Sequence, residues 1–268
     1  MQRLDLTLPT PAENVALDEA LLDWAEEEND EWECLRLWES PVPIVVVGRS
    51  TRVKLEIQEL ACRRRGIPVL RRSSGGAAIV AGPGCLMYAV VLSYQLRPEL
   101  KDIRRAHAYV LSRLATSLSV YGIPVAYAGT SDLVIEQGAT STEQGVKNKQ
   151  LGSQVPTPCS PLPAPRKVSG NSLRANRSHL LYHGTLLYNF ELGLIETCLR
   201  MPPRVPDYRG GRPHRDFVTN LPITRQSLID AVDAAWPTHG ALSIWPTERV
   251  SGLVAERLAR DSWNLEFG

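Results

Sequence analysis

The sequence predicts an α+β fold with a mixed, largely antiparallel sheet flanked by helices. Short apolar runs bounded by glycine, proline or polar residues recur along the chain, as in strands. Fewer stretches carry an apolar stripe at helical spacing. The two kinds of segment do not alternate strictly, and strict alternation would have indicated parallel βαβ units.

Helices are predicted where that spacing coincides with start and stop signals. TPAE at residues 10–13 fits a capping box with proline in the first turn, which predicts a helix over residues 11–27. A second stripe from residue 101 to 121 ends at Gly122 and Pro124. Shorter helices are expected in LEIQELACRRRG, ELGLIETCLR, TRQSLIDAVDAAW and TERVSGLVAERLARDSW.

Strands are predicted at CLRLWES, PIVVVGR, IPVLRR, AAIVA, CLMYAVVLSY, VAYAG, DLVIEQ, KVSGNS and LLYHGTLLYNF. We expect IPVLRR, AAIVA and CLMYAVVLSY to form a meander joined by two glycine turns. The last two segments are expected to pair as a hairpin.

The 268 residues fit one main domain over residues 1–221 and a small helical C-terminal extension over residues 222–268. Residues 138–165 contain five prolines and almost no apolar periodicity, which predicts a flexible insertion. The loop at residues 201–216 carries four arginines and is expected to close over an anion.

Composition excludes several classes of function. Thirty Lys and Arg against 29 Asp and Glu leave a net charge of +1, which favours neither nucleic acid nor a membrane as partner. No apolar run is long enough for a membrane span and no secretory signal is visible, so we expect a cytoplasmic protein. The five cysteines, at 34, 62, 85, 159 and 198, lack metal-ligand spacing, and no metal site is predicted.

The stretch RRSSGG at residues 71–76 is the first candidate site. Gly75 and Gly76 lack a Cβ, so a phosphate can approach their backbone N–H groups closely. Because alternate residues of a strand face opposite ways, only one of the two arginines is expected to reach a phosphate bound at these glycines. We assign this contact to Arg72. The alternative is a plain hairpin turn with solvated arginines.

The second candidate is RKVSGNSLRANRSHLLYHGTLLYNF at residues 166–190. Lys167 can neutralise a carboxylate and a phosphate oxygen together. Gly184 lies inside an apolar strand, where glycine indicates close approach by another group, and we expect a substrate there. His183 is either a ligand or a satisfied buried side chain. Asp132 begins an apolar strand and is a weaker candidate.

Cysteine chemistry is not favoured. Cys85 begins a strand with no histidine nearby in sequence, which fits a small core residue better than a nucleophile. Cys159 lies in the proline-rich insertion, where nothing visible lowers the pKa of its thiol.

In combination these stretches resemble the lipoate-protein ligase A family, within the group that includes biotin-protein ligases and octanoyltransferases. The resemblance rests on the order and spacing of CLRLWESPVPIVVVGRS, RRSSGG, SDLVIEQ, RKVSGNS and YHGTLLYNF, and more faintly on DFVTNLPI and SWNLEFG. It implies a class II synthetase or biotin-protein-ligase-like catalytic domain with a pocket of two arms, one for an acyl chain and one for an adenylate.

The resemblance also implies roles for residues. Lys167 matches the family lysine that bridges the acyl carbonyl and the phosphate, so it is the catalytic candidate. The implied binding residues are Arg72, Ser74, Gly75, Gly76, Ala77, Ala78, Ile79, Val80, Asp132, Lys167 and His183.

The implied activity is that of a lipoate-protein ligase. ATP, with Mg²⁺ on its phosphates, would activate lipoate to lipoyl-AMP. The lipoyl group would then pass to a lysine of a lipoyl domain, in 2-oxoacid dehydrogenases or in the glycine cleavage H protein.

The sequence departs from the family pattern at three places. Ala77 replaces a glycine, Ala81 and Gly82 replace a His-Asp pair, and Cys85 replaces an asparagine. The Gly-Pro-Gly turn is closer to the octanoyltransferases, which transfer octanoyl from acyl carrier protein. An octanoyl or lipoyl transferase, using acyl carrier protein or a ready-made adenylate, therefore remains an alternative. A non-catalytic acyl-binding homologue is a third reading.

Overall fold

The computed structural model describes residues 1–136 and 164–266. The expected insertion, apart from residues 164 and 165, and Cys159 lie outside the described residues. Within them, two sheets and the surrounding helices form the mixed, largely antiparallel α+β fold that the sequence predicts.

The larger sheet has seven strands in the order β1-β2-β6-β10-β9-β8-β7. Its strands are β1 (Gln2–Asp5), β2 (Cys34–Trp38), β6 (Cys85–Ser93), β7 (Val125–Ala128), β8 (Asp132–Ile135), β9 (Arg166–Ala175) and β10 (His179–Leu187). All neighbours are antiparallel except β1 and β2. The hairpin of β9 and β10 confirms the prediction, whereas β1 was not predicted.

The smaller sheet corrects the predicted meander. It contains β3 (Ile44–Val47), β4 (Val69–Arg71) and β5 (Ile79–Ala81), in the order β4-β3-β5. β4 and β5 both pair with β3 and not with each other, and β6 belongs to the larger sheet. The segment between β4 and β5 is therefore an open loop rather than a hairpin turn.

The described helices are α1 (Pro11–Glu28), α2 (Val53–Glu56), α3 (Glu59–Arg64), α4 (Ile103–Ser119), α5 (Gly193–Cys198), α6 (His214–Phe217), α7 (Arg225–Ala235) and α8 (Thr247–Leu253). 3₁₀ turns lie at Pro98–Lys101 and Asp207–Arg209, and π-helical turns at Val254–Leu258 and Ser262–Glu266. The capping box at Thr10 and Glu13 is present, as predicted.

The larger sheet has an apolar cluster on each face. On one face, residues of α4 and α7 pack against β6 and β10. On the other face, α1, the smaller sheet and α5 pack together. The strand β6 is buried along its whole length, with its alternate side chains divided between the two clusters. This explains why its sequence is a continuous apolar run rather than an alternating one.

The segment after residue 222 packs on both clusters. Leu228 and Trp236 belong to the cluster beneath α4, whereas Val250 belongs to the cluster beneath α1. Asn264 accepts a hydrogen bond from the backbone N–H of Arg71, at 3.0 Å. Across residues 1–136 and 164–266, we find no helix with the length and apolar character needed to traverse a bilayer.

Candidate active site

A cavity of about 390 Å³ lies between the edge of the smaller sheet, β9, β10 and the loop after α5. Its lining is of two kinds. Apolar side chains come from Val15, Trp38, Val46, Met87, Leu187 and Ile195, and charged or titratable ones from Asp18, Arg72, Asp132, Lys167, His183, Arg204, Arg209 and His214. The cavity therefore suits a molecule with a hydrocarbon part and an anionic part.

Lys167 and Asp132 form an ion pair in this cavity. The Lys167 Nζ lies 2.7 Å from Asp132 Oδ1, and the lysine side chain is 27% exposed. The Tyr208 hydroxyl donates to Asp132 Oδ2 at 2.7 Å, and burial together with this carboxylate raises the pKa of Tyr208. Asp132 is thus held from two sides, and it directs the ammonium group into the cavity.

A β-bulge places Lys167 beside this carboxylate. Between β8 and β9, Val134 pairs with Lys167 and Leu133 pairs with Ser169, so Val168 has no partner residue. Val168 turns into the apolar cluster, while Lys167 and Ser169 both line the cavity. Bulges are known to redirect side chains next to active sites.

The loop between β4 and β5 contains Gly75 and Gly76 and is called the glycine turn below. It lies against β9. Gly76 has a φ of +87°, which favours glycine over residues with a Cβ. The Ser172 hydroxyl of β9 donates to the carbonyl of Gly75 at 2.8 Å, and Thr51 donates to the carbonyl of Gly76 at 3.2 Å. The turn and the strand that carries Lys167 are therefore joined directly.

The two arginines before the turn face different ways, as strand alternation predicts. Arg72 lines the cavity. Arg71 points away from it and donates to the backbone carbonyls of Gly48, Arg49 and Thr51. Arg72 is thus the arginine that lines the cavity, and its predicted contact with a phosphate stays a prediction.

Arg72 mainly braces the turn. Its Nε donates to the Ser74 hydroxyl at 3.1 Å, and its Nη2 donates to the carbonyls of Gly75 and Ala77 at 2.6 and 3.0 Å. Nη1 donates to Val46 at 3.1 Å, which leaves one N–H of Nη1 without a partner among the described residues. Burial, partly offset by Glu56, lowers the pKa of Arg72 to about 10, so the guanidinium remains charged at neutral pH.

One backbone N–H after the turn donates to an acidic side chain. Glu56 Oε2 accepts the N–H of Ala78 at 2.9 Å. Within the described residues, the hydrogen bonds outside regular strands do not use the N–H of Gly76 or of Ala77. These two groups remain available to an anion, as in other backbone concavities that bind phosphate.

All of the predicted binding residues except Ser74 and Gly75 line the cavity, Ala77 to Val80 included. Ser74 and Gly75 lie behind this wall and contact it through hydrogen bonds to Arg72. His183 lines the cavity and is a satisfied side chain, and its contact with a ligand stays a prediction. Its ring nitrogens contact Ser74 Oγ and Asp18 Oδ2.

The close approach to Gly184 comes from a protein side chain. A Cβ at this position would lie 1.8 Å from Oδ1 of Asn171 on the paired strand β9. Gly184 also lines the cavity, and contact with a substrate there stays a prediction. Asn171 is itself held by the Tyr88 hydroxyl, which donates to it at 2.6 Å.

The individual cationic residues of the loop at 201–216 were missed, although the loop was expected to bind an anion. Arg209 is 3% exposed and lies 4.5 Å from the centre of the Phe217 ring. Its Nη2 is buried and has no hydrogen-bond partner in the described part of the chain. The sequence shows four arginines within this loop, but it does not show which of them is buried.

The four described cysteines, Cys34, Cys62, Cys85 and Cys198, are all buried. Burial raises the pKa of Cys34 and of Cys198 to about 12 and raises that of Cys85 further. The reading of Cys85 as a core residue agrees with this environment. The described residues also include no cluster of three or more His, Cys, Asp or Glu able to hold a metal ion.

Residues 10–236 match the family model described as the lipoyl protein ligase A/B catalytic domain. The chain belongs to this family. The match confirms the resemblance read from the motifs, and it includes the glycine turn, Lys167 and the loop at 201–216.

Relatives of this lipoyl protein ligase A/B family member carry two kinds of name. Octanoyltransferase LipM of Bacillus cereus is 24% identical over an alignment 272 positions long. The alignment covers 96% of this chain and 95% of that protein. A Schizosaccharomyces pombe protein, named provisionally as a lipoate-protein ligase A, is 24% identical over 82% of this chain. The match covers 51% of that relative, so the chain spans about half of its length.

Solved structures of lipoate-protein ligases share the fold of this family member. The bipartite lipoate protein ligase of Thermoplasma acidophilum, studied with its E2 lipoyl domain, superposes with a TM-score of 0.74 at 18% identity over 98% of this chain and 95% of that chain. A lipoate-protein ligase A bound with ATP gives a TM-score of 0.72 at 16% identity, over 98% and 97% of the two chains.

Proposed function

We propose that this chain is a lipoate-protein ligase. It would activate lipoate with ATP to lipoyl-AMP and transfer the lipoyl group to a lysine of a lipoyl domain. The observation that carries the proposal is the convergence of Lys167, the glycine turn braced by Arg72, and apolar side chains on one cavity.

In the first step, a carboxylate oxygen of lipoate attacks the α-phosphorus of ATP and pyrophosphate leaves. The Lys167 ammonium offsets charge on the phosphate oxygens, and the turn supplies N–H donors and the nearby charge of Arg72. Mg²⁺ would travel with the ATP phosphates. The apolar residues hold the hydrocarbon tail and so orient the carboxylate.

In the second step, the acceptor lysine amine attacks the carbonyl carbon of lipoyl-AMP and AMP leaves. An amide forms, the amine loses a proton, and Lys167 stabilises the developing oxyanion. Acceptors of this kind are the lipoyl domains of 2-oxoacid dehydrogenases and the glycine cleavage H protein. The Thermoplasma acidophilum ligase, solved with its E2 lipoyl domain, supports a lipoyl-domain partner.

A second candidate is transfer of octanoyl from acyl carrier protein, and the near-complete alignment with octanoyltransferase LipM favours it. The two functions differ in the donor. Purified protein and an apo lipoyl domain should be incubated with lipoate and ATP, with synthetic lipoyl-AMP, or with octanoyl-acyl carrier protein. Mass spectrometry of the acceptor identifies the productive donor.

We expect modification with lipoate and ATP. Activity with lipoyl-AMP alone would assign adenylation to a second protein. Activity with octanoyl-acyl carrier protein alone would move the assignment to the transferase, and no modification by any donor would favour a non-catalytic acyl-binding protein.

A cysteine thioester is not expected in this enzyme. Thiolates are the reactive form, and burial holds Cys85 and the other three described cysteines in the thiol form. In a Cys159→Ser background, native protein at pH 8 should resist iodoacetamide, whereas denatured protein should take up four equivalents. A Cys85→Ser, Cys159→Ser variant should keep wild-type activity, and its inactivation would support a thioester route.

Gly170 provides the space for the Lys167 amine. A Cβ at residue 170 would lie 2.9 Å from Nζ and 3.0 Å from Cε of Lys167, so the amine must move by a few tenths of an ångström. We expect Gly170→Ala to lower kcat about 10-fold, because small misplacements of catalytic groups are costly. The melting temperature should change little, since a flexible side chain absorbs the contact. Gly193→Ala, where a Cβ meets nothing within 4 Å, is the matched control.

A further inference from the structure

A line of buried polar side chains runs from the cavity wall to Ser74 behind it and links three distant parts of the chain. Ser74 Oγ lies 2.6 Å from His183 Nε2, and His183 Nδ1 lies 3.0 Å from Asp18 Oδ2. Ser74 is 1% exposed, Asp18 4% and His183 9%. These residue types and distances are those of a serine hydrolase triad, so their role here needs a specific assignment.

Ser74 and Asp18 hold the His183 ring between them. At one end, the Arg72 Nε–H donates to Ser74 Oγ at 3.1 Å, and Ser74 Oγ also forms a hydrogen bond with His183 Nε2. At the other end, His183 Nδ1 donates to the Asp18 carboxylate. The ring is thereby held in one orientation.

At the other end, Arg36 keeps Asp18 ionised. Arg36 Nη1 donates to Asp18 Oδ1 at 2.6 Å, and both side chains are almost fully buried. Burial alone would raise the pKa of Asp18, but the charge of Arg36 and the contact with His183 outweigh it, and the pKa is lowered. Asp18 is therefore a permanent acceptor for the histidine.

We propose that Ser74, His183 and Asp18 are positioning residues that fix the Arg72 guanidinium, and through it the glycine turn, for acyl transfer. Arg72 is the member of the network that both lines the cavity and bonds the carbonyls of the turn. Loss of the Ser74 hydroxyl leaves Nε only its longer bond to the carbonyl of Gly75, at 3.2 Å, so the guanidinium is held less firmly against the turn. The catalytic consequence rests on the proposed function, whereas the structural link does not.

Two observations separate this role from that of a nucleophile. Ser74 does not line the cavity, although Arg72 and His183 do, so its Oγ has no access to an acyl carbonyl. Its Oγ also accepts a hydrogen bond from the Arg72 guanidinium, which draws electron density from the oxygen. A covalent acyl-serine is therefore not expected.

A double-mutant cycle tests the proposal with whichever donor the wild-type protein uses. Ser74→Ala is expected to lower kcat/KM about 10- to 100-fold, as misplacement of a catalytic group does. In an Arg72→Met background the same change should cost less than about 3-fold, because the group that it positions is gone. Equal losses in both backgrounds would overturn the proposal, as would an acyl adduct on Ser74 in intact-mass spectra.

A second measurement does not depend on activity. The Arg72 side-chain N–H signal, identified by its loss in Arg72→Lys, should exchange slowly with water in the wild-type protein. Ser74→Ala and His183→Gln should each shift this signal and speed its exchange. Ser73→Ala is the control, since Ser73 is also buried but makes no side-chain hydrogen bond among the described residues. If Ser74→Ala and His183→Gln both leave the signal unchanged, these residues do not position Arg72. This outcome counts even if the protein is inactive with every acyl donor.

Discussion

Lys167→Ala is expected to lower the rate of lipoyl transfer by about 10²- to 10³-fold, the usual loss when one preorganised charge donor is removed from an active site. Lys167 directs an ammonium group into the cavity and is fixed there by Asp132 at 2.7 Å. The loss should appear in kcat rather than in the KM for lipoate, because the apolar residues that hold the tail are untouched. Steady-state lipoylation of an apo lipoyl domain measures both.

The control for this variant is Lys54→Ala, which removes an exposed lysine that does not line the cavity. Both variants should retain the wild-type circular dichroism spectrum. Lys167→Arg tests geometry, since it keeps the charge but replaces a compact ammonium by a larger planar fork. Activity above about one tenth of wild type in Lys167→Ala would remove Lys167 from the mechanism.

Arg36→Leu is expected to cost about 3–5 kcal/mol of stability, the usual result of removing one partner from a buried ion pair. Arg36 is fully buried, and it bonds Asp18 at 2.6 Å and the backbone carbonyl of Asn14 at 2.7 Å. Its loss leaves the Asp18 carboxylate uncompensated. For a domain of this size the melting temperature should fall by roughly 6–20 °C, which differential scanning calorimetry measures.

Two further variants identify the cause of this loss. Arg63→Leu breaks an exposed pair with Glu59 and should cost only about 0.5 kcal/mol. Asp18→Asn in the Arg36→Leu background should recover part of the stability, because it removes the uncompensated charge. Without the charge of Arg36, burial raises the pKa of Asp18, so the deficit of Arg36→Leu should also shrink as the pH falls and the carboxylate is protonated. A deficit that does not depend on pH would instead indicate lost packing.

The sequence predicted most elements of the fold because their signals are local. A capping box begins α1, and a continuous apolar run marks the doubly buried β6. The predicted meander is wrong because strand pairing is decided by neighbours that are distant in sequence. β4 and β5 both pair with β3, and β6 pairs with β2 and β10. The spacing of three strands along the chain does not contain this information.

The candidate site shows the same division between local and distant information. Strand alternation predicted that Arg72 rather than Arg71 faces the cavity, and the structure agrees. The mid-strand Gly184 was interpreted as a substrate contact, which stays a prediction, and the protein atom that approaches it is Oδ1 of Asn171 on the neighbouring strand. Glycine indicates that something approaches closely, and only the tertiary structure identifies what approaches.

The sequence by itself determined the fold class, the family and the short stretches that carry Arg72, Lys167 and His183, because each depends on residue type and spacing within a few positions. The tertiary structure decided how they are used. A bulge at Val168 brings Lys167 to Asp132, and the packing of α1 against β10 brings Asp18 to His183. These contacts join residues 35 and 165 positions apart, and they arise from the packing of whole elements, which no local pattern encodes.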